Sequence, residues 1–255
     1  MVAPVADNRN PDSLASRMRR RRMQRFVALL EPFREPVRIL DVGGRVGFWQ
    51  VNAPVLPKKC EITVLNLEPL SAEALPNVVS VVGDARRMTQ FADKAFDVCF
   101  SNSTIEHVGR VGDQQAMAQE VQRVSRAYFV QTPNRWFPLE PHFLFPFWQF
   151  LPLSTRAWLH HRFDRGWHPR QPDPQLARAE VMQVRLLTAR ELAGLFPGAD
   201  IVREKVGPLS KSLMAVRSPE AGEWHSSLGN QEGRVRASEG GPWRQRLRVA
   251  EPEVA

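Results

Sequence analysis

Arg38-Ile-Leu-Asp-Val-Gly-Gly-Arg-Val-Gly-Phe-Trp49 decides how the rest of the chain is read. Val37, Ile39, Leu40 and Val42 form a short apolar run with the length and residue types of a strand buried on both faces. Asp41 interrupts the run, and Gly43, Gly44 and Gly47 follow at once. Glycines just after a buried strand let the backbone turn sharply and pass close to a ligand, because they have no β-carbon. The next segment opens a helix whose free amides face that ligand. A glycine loop alone is also an ordinary tight turn, so a functional reading rests on what surrounds it.

The 255 residues suffice for one α/β domain with a sizeable core, plus appendages. The formal charge of +8 is unevenly spread. Arg17, Arg19, Arg20, Arg21, Arg22 and Arg25 crowd near the amino end, and Arg234, Arg236, Arg244, Arg246 and Arg248 lie near the other. The basicity therefore describes the ends and not the core. Cys60 and Cys99 fall within or beside apparent strands, suggest no disulfide framework or metal cluster, and fit a reducing compartment. No apolar run approaches the roughly 18 residues that span a bilayer. The amino end lacks a signal peptide's apolar stretch. The expected location is the cytoplasm, with contact at the inner face of the membrane as an option.

Residues 1–12 read as a disordered lead-in, and Ser13 caps a helix to about Leu30, where Pro32 ends it. Leu14, Met18, Phe26, Leu29 and Leu30 share one face, with arginines around the rest. Two readings stand: a solvated helix packed by its apolar edge, or a basic amphipathic helix attached to anionic lipid or nucleic acid. Residues 1–34 thus form a basic N-terminal segment, 35–217 a domain, and 218–255 a disordered tail rich in Gly, Ser, Glu and Arg.

Within the domain, further strands are expected at 61–68, 77–82, 95–101 and 127–131, a short helix at 87–93, and a helix at 113–126. Strands separated by helices pair in parallel through right-handed crossovers. Residues 135–170 break the rhythm: Trp136, Phe137, Phe143, Phe145, Phe147, Trp148, Phe150 and Trp158 alternate with prolines, which argues against one long helix. Thr188 then caps a helix through Phe196, and two strands follow at 200–206 and 211–216.

Glu68 lies about 20 residues beyond the glycine loop, where a carboxylate can accept hydrogen bonds from both hydroxyls of a ribose. Asp84 closes the third strand, within Gly83-Asp84-Ala85, on the same edge of the sheet. Ligands in such sheets bind beyond the carboxyl ends of the strands. Each acid alone is an ordinary strand-end group, and together they describe one extended nucleoside site.

With Asp41-Val-Gly-Gly-Arg-Val-Gly47, Leu67-Glu68, Gly83-Asp84-Ala85 and Phe96-Asp-Val-Cys-Phe-Ser-Asn-Ser-Thr-Ile-Glu-His-Val108, residues 35–217 resemble the class I S-adenosylmethionine-dependent methyltransferase family, type 11-like. The resemblance implies a doubly wound, mostly parallel sheet of seven strands in a Rossmann-like methyltransferase fold, the last strand antiparallel. It implies S-adenosylmethionine as cofactor. Asp41, Gly43, Gly44 and Gly47 would hold its amino-acid part, Glu68 the ribose, and Asp84 with Ala85 the adenine edge. Ser101 and Asn102 would line the methionine side and face the acceptor. Arg45 stands where the family commonly has glycine. Its side chain must point away, or pair in bidentate fashion with the cofactor carboxylate. The loop also departs from the dinucleotide pattern Gly-x-Gly-x-x-Gly, which disfavours a nicotinamide enzyme.

Methyl transfer from a sulfonium is an in-line displacement in which charge is lost, so alignment and exclusion of water dominate. A base is needed only if the acceptor loses a proton at attack. His107 and His142 are the candidates, against structural roles under the cofactor and in a proline-rich lid. His160, His161 and His168 have no companion ligand spacing, so no metal site is read. The insertion at 135–170 lies where this family commonly carries acceptor-specific segments. Its rings stack on a sugar, a nucleobase or an isoprenoid, dip into a membrane interface, or build a small core. The expected acceptor is a small molecule, a glycan or a lipid-linked intermediate. The alternatives are a nucleic-acid methyltransferase or binder, and a non-catalytic protein that keeps the fold. Ser101-Asn102-Ser103-Thr104 lacks the Pro-Pro-aromatic run of amino-methylating enzymes, which counts in part against base methylation.

Overall fold

Strand β1 (Val37–Val42) is buried along nearly its whole length because it is flanked on both sides. It pairs in parallel with β2 (Cys60–Asn66) on one edge and β4 (Phe96–Asn102) on the other. The computed structural model describes residues 13–52, 55–56, 59–69, 75–166 and 168–219. The expected lead-in at 1–12 and nearly all of the expected tail lie outside them.

Outward from β2 comes β3 (Val78–Val82), and outward from β4 comes β5 (Ser125–Pro133), both parallel to their neighbours. The last of the described strands inserts antiparallel between β5 and its predecessor, giving a seven-stranded sheet whose final strand runs against the rest, as expected. Two of the strands still to be placed, β6 (Leu139–Glu140) and β7 (Phe145–Pro146), form a separate hairpin. The sheet is completed by β8 (Asp200–Val206) and β9 (Leu209–Arg217).

Helix α1 (Leu14–Leu30) starts at Ser13, whose hydroxyl accepts a hydrogen bond from the Ser16 amide. It is not merely an edge-packed cover. Phe26 and Leu30 are fully buried, and Phe26 sits 4.6 Å from the Phe100 ring. Its partners on that face of the sheet include Trp49, on α2 (Val46–Asn52), and Phe129. The other face is covered by α3 (Val111–Val124) and α6 (Ala189–Leu195), with Met117, Val121 and Leu192 buried. Thr188 caps α6, as expected, and the structure adds a reciprocal box with Glu191.

Three local expectations are corrected. Residues 87–93 form turns, because the Met88 amide is taken by Glu120, and the carbonyls of Met88 and Phe91 by Arg123, at 3.0 and 2.8 Å. These α3 side chains satisfy the backbone in place of a helix. The α3 helix ends at Val124, since Ser125 already pairs with Phe96 in the sheet. Strand β2 stops at Asn66, so Glu68 falls in a bend beyond it.

The insertion holds more helix than its prolines suggest. These residues start helices instead of only breaking them: within it α4 (Leu153–Arg162) follows Pro152, and just beyond it α5 (Pro174–Met182) has Pro174 at its first turn with Asp173 as cap. A small core of Phe143, Trp148 and Val181 ties α5 to the hairpin region.

Candidate cofactor cleft and an adjoining histidine cluster

The strand order places β1 beside both β2 and β4, with the connections running outward in opposite directions from that point. Such a switch leaves a crevice beyond the carboxyl ends of the central strands. Here it is a cavity of about 850 Å³, within the range of small-molecule sites. Asp41, Gly43, Gly44, Asp84, Ala85 and Asn102 border it, as do Arg45, Asn66 and His107.

The loop after β1 explains two of its glycines. Gly43 has φ +75°, and a β-carbon there would stand 2.3 Å from Thr104 Cγ2. A β-carbon on Gly44 would stand 1.7 Å from Asp41 Oδ2. Gly47 lies in α2, is exposed, and has no such contact, since its nearest neighbour would be Gln50 Oε1 at 3.6 Å. The Gly43 amide donates to the Leu65 carbonyl at 2.8 Å, which ties the loop to β2.

Asp41 is 1% exposed. Its Oδ2 accepts from Trp49 Nε1 at 2.7 Å, while Oδ1 is buried without a partner. Burial, partly offset by the indole hydrogen bond, pushes its pKa up to about 7. An unpaired buried carboxylate oxygen beside a glycine-lined cleft fits a ligand that brings an ammonium or amide donor.

Other expected residues are distributed unevenly. Ser101 is fully buried and donates to the Val42 carbonyl at 3.1 Å, so it braces the strands behind the cleft. Glu68 is exposed and is not among the bordering residues, whereas Asn66 borders the cavity and donates to the Gly44 carbonyl at 3.1 Å. Asp84 is held by Arg86 through both of its oxygens, at 2.7 and 3.0 Å, and these side-chain bonds hold its carboxyl below the usual range. Arg45 is exposed and leaves the cleft open.

Two features escaped the sequence reading. Asn102 accepts from Arg22 Nη1 at 2.6 Å, and the same guanidinium reaches Gln131 at 3.1 Å and Glu204 at 2.7 Å. An arginine of the basic helix is thus spent inside, holding a cleft residue. Ser103, which borders the cleft, adopts φ +57°, a conformation that costs energy outside glycine. Its amide and hydroxyl both bond Gln131, at 3.0 Å each.

The second assembly lies between the cleft and the insertion. His107 ends the 3-10 turn Ile105–His107, and its ring centroid is 4.7 Å from that of His142. His142 does not border the cleft. Its Nδ1 lies 2.6 Å from Glu140 Oε1, and Glu140 Oε2 accepts the amides of His142 and Phe143 at 2.9 and 2.7 Å. Packing around the His107 ring, and then the neighbouring His142, pull its pKa down to about 4, so it is neutral at physiological pH. Burial opposes the charge on His142, yet its bond to Glu140 and the charges of Glu140 and Glu106 raise its pKa on balance. Glu106 is fully buried, and burial raises it to about 7. Its Oε2 accepts from Thr132 Oγ1 at 2.9 Å, and its Oε1 has no partner.

Residues 40–127 match the family model described as a methyltransferase domain. No curated protein matches the chain. Solved structures with a similar fold include a protein of Anabaena variabilis ATCC 29413, assigned as a methyltransferase to an antibiotic biosynthesis pathway. It is 20% identical with a TM-score of 0.41, over 56% of this chain and 60% of that one. A SAM-dependent methyltransferase of Aquifex aeolicus is 12% identical with a TM-score of 0.45, over 79% and 97% of the two chains. A protein of Pyrococcus horikoshii OT3 is 17% identical with a TM-score of 0.48, over 86% and 97%. The chain therefore spans three-fifths of the Anabaena protein and nearly all of the other two.

Proposed function

We propose that this chain, which carries an S-adenosylmethionine-dependent methyltransferase domain of type 11, binds that cofactor in the cleft at the carboxyl ends of β1, β3 and β4. The acceptor enters from the side of the insertion and is a small molecule, a glycan or a lipid-linked intermediate. The observation that carries the reading is Asp41: a buried carboxylate with one unpaired oxygen, facing a loop in which Gly44 leaves no room for a side chain.

Asp41 and the loop would hold the cofactor's amino-acid part, with Arg45 available at the rim for its carboxylate. Asp84 and Ala85 would meet the adenine edge; the exposed Asp84–Arg86 pair is cheap to rearrange. Asn102, held by Arg22, would face the methionine side. The bound cofactor supplies an electrophilic methyl on a sulfonium. The chain's own work is then to fix the acceptor in line and keep water out. His107 is the neutral ring at the cleft border and is the group placed to accept a proton, while His142 stands behind it.

Among acceptors, a lipid-linked one draws support from the exposed rings of Trp136, Phe147 and Trp158 on the insertion. No helix of the described residues is long and apolar enough to cross a membrane, so such contact would be peripheral.

Calorimetric titration with S-adenosylmethionine tests the reading. The expected result is one site, with saturable heat and a raised melting temperature. Absence of both at millimolar cofactor overturns it. Asp41→Ala is expected to weaken binding about tenfold or more, as loss of a hydrogen bond to a charged group does.

A further inference from the structure

Glu106 and His107 are neighbours in one 3-10 turn and His142 comes from the insertion, yet one ligand atom of each lies within 4.8 Å of the other two. We propose that these three side chains bind a divalent ion of the zinc class, at the boundary between the cleft and the insertion.

Three independent features support a built site. Glu106 has no solvent exposure and an unpaired Oε1, a cost that a cation would remove. Thr132 occupies its other oxygen, which fixes the carboxylate plane. Glu140 Oε1 lies 2.6 Å from Nδ1 of His142, and its Oε2 accepts two backbone amides that hold the carboxylate in place. A carboxylate on one ring nitrogen sets the tautomer and leaves Nε2 free as a ligand, the usual outer support of a metal-bound histidine. Two imidazoles and one carboxylate favour a borderline ion such as Zn²⁺, Co²⁺ or Ni²⁺ over Mg²⁺ or Ca²⁺, which take oxygen.

Three protein ligands leave at least one position open, the pattern of catalytic and not structural zinc sites. His107 borders the cleft, so the open position adjoins it. That position suits an oxygen donor, such as a hydroxyl of the acceptor, and His107 then ligates the ion instead of serving as the base. This last clause rests on the methyltransferase reading; binding of the ion does not.

The test uses the untagged full chain, treated with chelator, dialysed and titrated with Co²⁺ and, in competition with a chromophoric chelator, with Zn²⁺. The expected result is one equivalent of each and visible Co²⁺ absorption bands typical of nitrogen–oxygen ligation. His107→Asn should lower affinity at least tenfold, and Glu140→Gln about 10–100-fold through His142. His161→Gln, outside the cluster, should bind as the parent does. Glu106→Gln is read only if its circular dichroism matches the parent, and His107→Asn keeps the test decisive if it does not. No stoichiometric uptake, or equal uptake by His107→Asn and the parent, overturns the proposal. Cofactor titration of the chelated protein is run beside it: retained cofactor binding without metal uptake overturns the ion alone, and metal uptake without cofactor binding overturns the cleft reading alone.

Discussion

Under the sheet, Phe26, Trp49, Phe100 and Phe129 pack ring against ring, with Phe100 and Phe129 5.9 Å apart, whereas among the described residues of the insertion the only buried apolar side chains are Phe143 and Trp148, set against Val181 of α5. What the insertion lacks in apolar core it replaces with polar pins. Glu140 gathers His142 and Phe143, and His160 meets Glu180 at 2.6 Å. Apolar burial is additive over a large layer, while polar pins stabilise little net and chiefly fix geometry. The two regions therefore differ in how they respond to perturbation. The larger apolar layer is expected to make the sheet and its glycine loop the stiffer part, and the insertion the part that opens at lower cost.

The largest expected effect tests that contrast directly. Phe26→Ala should cost about 3–5 kcal/mol and lower the whole unfolding transition, a large part of a total near 5–15 kcal/mol. Phe143→Ala should leave the main transition close to its place and instead remove hydrogen-exchange protection across 139–163. Equal shifts of the main transition in both variants would break the comparison.

A middling effect sharpens it on the cleft side. Gly44→Ala forces a β-carbon against Asp41, and overpacking of about 1–3 kcal/mol corresponds to roughly tenfold or more in cofactor Kd. Gly47→Ala has room and should bind as the parent does. Titration of both separates a glycine required by close approach from one that is not.

The third test is a pH slope. Asp41 has its folded pKa raised above the ordinary 3.8 to about 7, so the folded state holds a proton that the unfolded chain has released. Its contribution is fully present below about pH 4 and is lost as pH rises to about 7, by at most about 1.4 kcal/mol per pH unit. Chemical denaturation from pH 4 to 8 should show this loss, and Asp41→Asn should flatten it. An ammonium beside Asp41 favours the ionised form, so cofactor binding near pH 6 should release a proton. Titration in buffers of different ionisation heat measures that release.

The sheet was legible because its signals are local. The apolar run at 37–42 and the Thr188 cap each lie within a few residues, and each matches the element observed. The same locality explains the misses. Residues 87–93 carry a short helical pattern, and only α3 side chains, distant in sequence, make turns preferable. Ser101 and Asn102 are neighbours in the chain, yet the pleat sends one into the sheet's interior and leaves the other at the cleft.

The order of residues by itself determined the alternation of strands and helices and the glycine loop. Backbone preferences and hydrophobic periodicity act over a few positions and need no partner. Only the tertiary structure decided that Arg22 holds Asn102 and that Glu106, His107 and His142 meet. Those contacts depend on which elements fold onto one another. Packing of the sheet faces and the insertion sets that, and no spacing along the chain encodes it.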